Sequence, residues 1–593
     1  MDKRVFSIQN FSTILMNTLS TFQASSPSSR KSFKIYRMAK KIWNDQGFQI
    51  LIKRHIKALK SIDSQEFYIP LSNEAKTDQL QRKRLKYLDK IIRHAKATSS
   101  LRITIQAPDP SHINYLIPSF KHLSSLKTFR VSFISKAFMT PKACQNLTRS
   151  LRNLKQLVNL DCSLYNGLKD HHKALQSLRY ISTLRHLAVL PISFQGIRDL
   201  KDHFCKWFSC HLVRITSLAS LTLELSHCEG STQAGLLDIW KSVGKLPTLR
   251  TLNLQARGFK VLDSNMLIQL FQNLGCPPHF KQLILNLSGC KLLKNNGQDP
   301  LVTGLALLNP GSLDKISIEF SDDFLDSDLS ELFITLQRFS SLTHLSLNLN
   351  QLKKITPHGF SNLPQTTKFL PSLIHFHIRL NPKIDANSLL HGLCLSLQNL
   401  PNLTSLKIEV WHNHIVKNTT VQELSSHLSK LHKLTHLYLA FANCSNLRSV
   451  VIEDLAVALK ELNSLKSLYL NYQYNSLTNP AFNGLVSSLG YLKDLWSLEL
   501  HFNYSLNLDK DCFEVLARSL QQLLLLDTII LGVRSEGQQK IIKKYKELIR
   551  ALGGIERLRN IMLGFEEFRE EDIDEEISQK LFKNEKQHFD IYL

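Results

Sequence analysis

Apolar residues, mostly leucines, recur along the chain in a fixed pattern, which we call the comb. Residues 431–444, LHKLTHLYLAFANC, are echoed by LNSLKSLYLNYQYN 31 residues later, with Leu437 and Leu468 at the two centres. The central residues are Phe129, Leu160, Leu187, Leu221, Leu252, Leu283, Ile316, Leu345, Phe376, Leu406, Leu437, Leu468, Leu498, Ile529 and Ile561, and Leu101 is a candidate sixteenth. Their spacing lies between 27 and 34 residues. Such a period predicts a repeat solenoid of about 15–16 units.

Each unit has two halves with different periodicities. In LTHLYLAF, apolar and polar residues alternate, which predicts a strand with Leu437, Leu439 and Phe441 on one face. In FNGLVSSLGYL, Leu485, Leu489 and Leu492 follow helical spacing. One strand and one helix per unit predict an α/β solenoid. Because a helix is wider than the strand spacing, we expect it to curve, with parallel strands on the concave face and helices on the convex face.

Over residues 101–565 this pattern resembles the leucine-rich repeat family, in the long αβ form seen in ribonuclease inhibitor. The resemblance implies the horseshoe fold. The chain differs by an extra apolar residue per unit, such as Val410 or Phe441, so that Asn413 follows Leu403 by ten positions. This longer variant resembles repeats abundant in ciliate proteins. The unit LRHLAVLPIS is irregular, and we expect Pro191 to interrupt the sheet there.

Charge is distributed unevenly along the 593 residues. The chain has 74 Lys and Arg against 49 Asp and Glu, a net charge of +25 and a pI near 9.5. Residues 1–100 hold 20 basic and 7 acidic side chains. Residues 35–100 are predicted to form a basic helical N-terminal cap. Its charges are either solvated or dock on phosphate or an acidic partner, for which the candidate contacts are Lys53, Arg54, Lys57 and Lys60.

The two ends differ in composition. Residues 1–34 form a basic, Ser-rich leader, predicted to be disordered or a targeting segment, and residues 566–593 an acidic C-terminal tail. No apolar run reaches the ~20 residues of a membrane span. The ten cysteines lack disulfide or zinc-ribbon spacing, which predicts buried free thiols in a reducing compartment. We therefore expect an intracellular protein without membrane contact, cytoplasmic or, in the alternative, mitochondrial.

Four sequence motifs that mark common enzyme classes are absent. The chain lacks a phosphate-binding loop, a dinucleotide fingerprint, HExxH and a nucleophile elbow. His375 and His377 on one strand and His344 on its neighbour are the best metal candidates by spacing, but they lack an acidic or Cys ligand, so polar side chains of a sheet surface explain them better. We expect no catalytic residue, cofactor, metal or small-molecule substrate.

The residues between the central leucines form the surface open to a partner. The candidate contacts are Trp411, Tyr438, Tyr469, His375, His377, His436, Arg379, Glu409 and His501. Aromatic residues on a nearly neutral face suit protein recognition, whereas nucleic acids need a continuous basic track. The sequence therefore predicts a non-enzymatic scaffold that binds a protein partner on its concave strand face. The alternative is a structural component of a ribonucleoprotein, such as a mitochondrial ribosome, that binds RNA through its basic N-terminal region.

Overall fold

A computed structural model provides the structure of the chain. It describes residues 64–70, 89, 93, 99–106, 116, 120, 122–133, 149–162, 181–196, 200–292, 294, 298–505, 510–532, 548, 550–564 and 588–591. The chain divides into two compact units, with the boundary between Asp323 and Phe324.

The first unit is a parallel sheet in chain order, covered by helices. Its strands are β1 (Ser64–Pro70), β2 (Ser100–Gln106), β3 (Thr128–Phe133), β4 (Asn159–Cys162), β5 (Val189–Ser193), β6 (Ser220–Glu224), β7 (Thr251–Gln255), β8 (Gln282–Asn286) and β9 (Lys315–Glu319). Each strand pairs in parallel with the next. Its helices are α1 (Asp202–Leu212), α2 (Gln233–Gly244), α3 (Ser264–Leu274) and α4 (Pro300–Ala306).

The second unit repeats this plan. Its strands are β10 (His344–Asn348), β11 (His375–Leu380), β12 (Ser405–Val410), β13 (His436–Ala440), β14 (Ser467–Asn471), β15 (Ser497–His501), β16 (Thr528–Gly532), β17 (Asn560–Gly564) and β18 (His588–Ile591). Its helices are α5 (Asp326–Leu336), a 3-10 helix (Pro357–Phe360), α6 (Leu363–Lys368), α7 (Ala386–Leu397), α8 (Asn418–Leu428), α9 (Val450–Lys460), α10 (Asn479–Leu489) and α11 (Lys510–Leu520). These strands too pair in parallel and in order.

The register of the sheet follows the comb. Leu437 lies opposite Leu468, and Leu468 lies opposite Leu498, so equivalent residues of successive repeats are neighbours. These leucines are at most 2% exposed, and the helical Leu485 and Leu489 are fully buried. The comb therefore forms the core between the sheet and the helices, and each of the two compact units is an α/β repeat solenoid. The predicted α/β repeat fold is confirmed.

One central residue was misplaced by the sequence pattern. In β5 the residue opposite Leu221 is Leu190, not Leu187. This places Leu190 30 residues after Leu160 and 31 before Leu221, so the apparent irregularity disappears. Gly196 supports the same register, because it lies six positions after Leu190 and has a φ of 72°, like Gly258 six positions after Leu252, with a φ of 62°.

Pro191 interrupts the sheet on one side only. The Val189 amide donates to the Val158 carbonyl, toward β4. Successive residues of a parallel strand bond to opposite neighbouring strands, so residues two positions apart bond to the same one. Pro191 thus also faces β4, where it has no N–H to donate. The β4–β5 pairing is accordingly confined to Asn159 and Val189 among the described residues, whereas the β5–β6 pairing runs through all five residues of β5.

Two strands lie in ranges where none was predicted. β1 lies inside residues 35–100, which we expected to be helical, and it extends the sheet by pairing with β2. The alternation of Phe67 and Ile69 with polar neighbours in SQEFYIP is the strand signal that the basic composition obscured. Farther along, Asp89 and Arg93 are helical and ion-paired at 2.6 Å. β18 lies inside the predicted tail and pairs with β17.

A polar position after five of the strands ties consecutive repeats together. It lies seven residues after the central leucine, and its side chain donates to a carbonyl of the preceding repeat. The pairs are Cys228 to Phe194 (2.9 Å), Cys290 to Ala256 (2.9 Å), Asn413 to Ile384 (2.8 Å), Cys444 to Val410 (3.5 Å) and Asn475 to Phe441 (2.6 Å). Of the eight cysteines whose side chains the structure describes, six are buried, and Cys210 and Cys276 are exposed.

Helix starts are also linked from one repeat to the next. In α5, a carboxylate oxygen of Asp326 accepts a 2.7 Å hydrogen bond from the amide of Thr356, one repeat later. In α7 and α8, Asn387 and Asn418 accept in the same way from Lys417 (2.8 Å) and Arg448 (2.9 Å). Each bond satisfies an amide just before the next helix. Among the described residues, no helix combines the length and apolar character that crossing a membrane requires.

Candidate protein-binding face of the second unit

The candidate contacts lie on one surface of the second unit, which we call the strand face. It consists of the residues of β10–β15 whose side chains point away from the helices, together with Trp411 just after β12. All nine predicted partner contacts belong to it. The register brings Lys407 opposite Tyr438, Tyr438 opposite Tyr469 and Tyr469 opposite Glu499.

A stacked pair of tyrosines lies at the centre of the strand face. The rings of Tyr438 and Tyr469 are stacked, with centroids 3.8 Å apart and an angle of 4° between the ring planes. The Lys407 ammonium lies 4.1 Å from the Tyr438 centroid, and the His501 ring lies 5.1 Å from that of Tyr469. Both tyrosines are half-buried. Burial, followed by the hydrogen bond with Tyr469, raises the pKa of Tyr438, so its hydroxyl stays neutral.

Glu409 organises the neighbouring part of the face. Its carboxylate accepts hydrogen bonds from His377 Nε2 (3.0 Å), Lys407 Nζ (2.8 Å) and Trp411 Nε1 (3.2 Å). The Arg379 Nε atom lies 3.7 Å away, in ion-pair range. Burial alone would raise the pKa of Glu409, but the bonds from His377 and Lys407 outweigh it and lower the pKa to about 2.

The burial of Glu409 changes its predicted role. Its side chain is only 8% exposed, so a partner would meet the side chains around the carboxylate rather than the carboxylate itself. Trp411 follows the end of β12, toward the loop edge, and its indole N–H donates a hydrogen bond to Glu409.

The remaining histidines have separate partners. His344 and His375 stack at 4.0 Å between centroids, and the Nδ1 atom of His377 lies 3.0 Å from the Ser346 hydroxyl. Because the first two rings stack and the third faces Ser346 and Glu409, these three imidazoles do not converge on a common point. His436 is exposed, and its pKa is lowered by partial burial and then by Lys466.

The strand face is close to electroneutral. From β10 to β15, histidines aside, its cations are Arg379 and Lys407 and its anions are Glu409 and Glu499. A face of this charge does not form the continuous basic track that a phosphate backbone requires. The four candidate phosphate contacts, Lys53, Arg54, Lys57 and Lys60, lie outside the described residues.

Sequence reasoning missed an aromatic pair at the loop edge. Tyr474 and Tyr504 stack at 5.0 Å between centroids, and Tyr474 is 52% exposed. Both have a left-handed backbone, with φ of 61° and 57°, at the position that Gly258 occupies in its own repeat. Such a conformation costs a non-glycine residue roughly 1–2 kcal/mol. The sequence signal for this pair is a tyrosine six positions after each of two central leucines, Leu468 and Leu498.

A second missed cluster lies on the helices. Cys394 on α7 and Glu423 and His427 on α8 each offer a donor atom within 4.8 Å of the others. No spacing within one segment marks this group, because its members come from two helices. HxxC at residues 391–394 and ExxxH at residues 423–427 are visible once the two helices are known to be neighbours.

Comparisons with known proteins reveal remote similarity alone. No protein-family model matches the sequence, and no curated protein does. Among solved structures, the chain is similar to one described as the Rad7 and Elc1 complex in yeast, at 17% identity and a TM-score of 0.39, over 87% of this chain and 97% of that chain. It is also similar to the TLR13–ssRNA13 complex, at 16% identity and a TM-score of 0.30, over 81% and 80% of the two chains.

Proposed function

We propose that this protein is a non-enzymatic, intracellular interaction scaffold that binds a protein partner on the strand face of its second unit. The stacked pair Tyr438–Tyr469 carries the proposal, because it presents aromatic surface from two adjacent strands. Aromatic anchors of this kind, surrounded by small polar residues such as Ser467 and Ser497, dominate protein interfaces.

The surroundings of the pair support a protein partner over a nucleic acid. Lys407 is engaged by both Glu409 and the Tyr438 ring, so its charge is largely compensated. Toward the loop edge, Trp411 and the exposed Tyr474 extend the aromatic surface. A partner that offers apolar side chains and a few hydrogen-bonding groups would match this surface.

The test removes the aromatic pair and measures partner capture. Tagged wild-type protein and the Tyr438→Ala/Tyr469→Ala variant are used to capture partners from native extract, and the main partner is then titrated as a purified protein. If each tyrosine contributes about 2 kcal/mol, each alanine weakens binding about 30-fold, and the double variant captures nothing measurable. We expect its melting temperature to stay within a few degrees of wild type.

Tyr491→Ala is the matched control. Tyr491 is 56% exposed and follows α10 on the helical side, so its loss should leave binding unchanged. Capture of every partner at wild-type level by the double variant would reject the strand face as the binding site and make the basic N-terminal region the next candidate.

The alternative function, a ribonucleoprotein component, depends on residues 1–100. It is favoured by their 20 basic side chains against 7 acidic ones and by nothing on the strand face. Under this alternative the protein retains RNA through its N-terminal region in a salt-dependent manner.

A further inference from the structure

The cluster on α7 and α8 combines three kinds of metal ligand on two consecutive helices. Cys394 is fully buried on α7, and Glu423 and His427 face it from α8, one helical turn apart. One donor atom of each lies within 4.8 Å of the other two. Thiolate, imidazole and carboxylate are the ligands that zinc binds in proteins, and this spread needs little contraction to surround one ion.

Hydrogen bonds already orient His427 as a ligand. Its Nδ1 atom lies 3.0 Å from the Glu423 backbone carbonyl, which can only accept, so Nδ1 carries the proton. Its Nε2 atom accepts a 2.8 Å hydrogen bond from the Gln398 side-chain N–H and therefore presents a lone pair. A donor bond from the second ring nitrogen to a carbonyl is the usual support of a metal-binding histidine. Gln398 is exposed and can turn away when an ion takes its place.

His391 holds the carboxylate of Glu423. Its Nδ1 atom lies 2.9 and 3.0 Å from the two carboxylate oxygens. His391 lies one turn before Cys394 on the same helix, so it fixes Glu423 from the side of α7. The Glu423 side chain is 30% exposed, so solvent reaches the cluster at this carboxylate.

A nucleophilic cysteine explains the same residues less well. Such a site needs a thiolate that a substrate can reach, whereas Cys394 is fully buried. The Nδ1 proton of His427 points to the backbone carbonyl of Glu423 rather than to its carboxylate, so the three side chains do not form a hydrogen-bonded relay.

We propose that Cys394, Glu423 and His427 bind one zinc ion, with water as the fourth ligand and His391 positioning the carboxylate. The Cys394 thiol loses its proton to solvent as the sulfur–zinc bond forms, and Gln398 gives up its bond to His427. The ion would link the helices of two consecutive repeats. It stabilises the folded second unit because an unfolded chain lacks the site.

Cobalt titration of the full-length protein tests this proposal. After chelator treatment, wild-type protein should bind one equivalent of Co²⁺ with a thiolate-to-cobalt charge-transfer band and strong visible absorption from tetrahedral coordination. Zinc should displace the cobalt. Cys394→Ser should lose the band, and His427→Ala should weaken binding more than about 100-fold. His391→Ala should keep the band and weaken binding about 10- to 100-fold.

The controls separate this site from chance binding at other thiols and histidines. Cys276→Ser changes an exposed thiol of the first unit, and His358→Ala changes an exposed histidine of the second, so both should keep the band. Zinc should raise the melting temperature of wild type and not that of Glu423→Gln, a variant that retains the core. No band in wild type, or a band that survives in Cys394→Ser, would overturn the proposal.

Discussion

At the scale of single residues, Glu409 and Tyr472 illustrate two opposite outcomes of burying a polar group. The Glu409 side chain is 8% exposed and accepts three hydrogen bonds, so its charge is stabilised. Tyr472 is fully buried between Phe441 and Phe502, and its hydroxyl has no hydrogen-bond partner among the described residues. Unpaired buried polar groups cost about 1–3 kcal/mol.

The lowered pKa of Glu409 predicts a pH-dependent contribution to stability. In the unfolded chain its carboxyl takes up a proton near pH 4.5, whereas in the folded protein it stays charged down to about pH 2. Its contribution is therefore complete above about pH 5 and is lost as the pH falls to 2. Glu409→Gln should lower the free energy of unfolding by about 1–3 kcal/mol at pH 7, and this difference should shrink toward pH 2.

Denaturant unfolding of both proteins from pH 7 to pH 2 measures this effect. Glu499→Gln is the control, because the Glu499 side chain is 33% exposed and the His501 Nε2 atom lies as far as 3.8 Å from its carboxylate. A constant difference between wild type and Glu409→Gln across this range would contradict the assigned pKa.

Tyr472→Phe should stabilise the protein. The substitution removes a buried hydroxyl without a described partner and leaves the ring in its stack, so we expect a gain of about 1 kcal/mol in the free energy of unfolding. Thermal and denaturant unfolding measure it. Tyr469→Phe is the comparison, since its hydroxyl accepts a 3.3 Å bond from Asn471, and it should give no gain. A loss of stability in Tyr472→Phe would show that the hydroxyl is satisfied.

At the scale of elements, stability depends on contacts between neighbouring repeats. Leu437 packs in register between Leu406 and Leu468, and the polar bonds after the strands also run from one repeat to the next. A strand of five residues such as β13 has no core without its neighbours.

Leu437→Ala should therefore disturb more than its own strand. We expect a loss of about 2–5 kcal/mol in the free energy of unfolding, because the leucine is 2% exposed. Amide hydrogen exchange should accelerate in β12 and β14 as well as in β13. Leu524→Ala is the control, since Leu524 is 75% exposed and its loss should have little effect. Faster exchange confined to β13 would contradict coupling between repeats.

At the scale of the whole molecule, charge and aromatic surface are segregated. The strand face of the second unit has two cations and two anions, whereas the first 100 residues have 20 basic and 7 acidic side chains. Under the proposed function, protein recognition belongs to the strand face and any binding of phosphate to the N-terminal region.

Reversing the charges of Lys53, Arg54, Lys57 and Lys60 tests the N-terminal role. If this region binds RNA, the four-residue reversal should weaken binding and flatten its dependence on salt, by about one unit of slope per lost phosphate contact. Filter binding at several salt concentrations measures the slope. Ile56→Asp is the comparison, because it should lower stability if the region is only a cap. Unchanged RNA retention in the reversed variant would exclude these residues as phosphate contacts.

The amino-acid pattern was sufficient for the fold and for which strand residues point to the surface. A repeated comb of leucines specifies one strand and one helix per repeat, and alternation along a strand assigns Tyr438 and Tyr469 to the surface. It was insufficient at Leu187, because two candidate registers three residues apart both place leucines inward, and pairing with Leu221 selects Leu190.

Contacts between residues about 30 positions apart needed the tertiary structure. Glu409 is outward by alternation, yet His377, Lys407 and Trp411 converge on it from two strands and an adjoining loop and bury it. Cys394, Glu423 and His427 come together because α7 and α8 pack side by side with a particular rotation. Periodicity determines which way a side chain points, but the distance between side chains on different repeats depends on register, helix rotation and rotamer, and these are set only when the repeats pack.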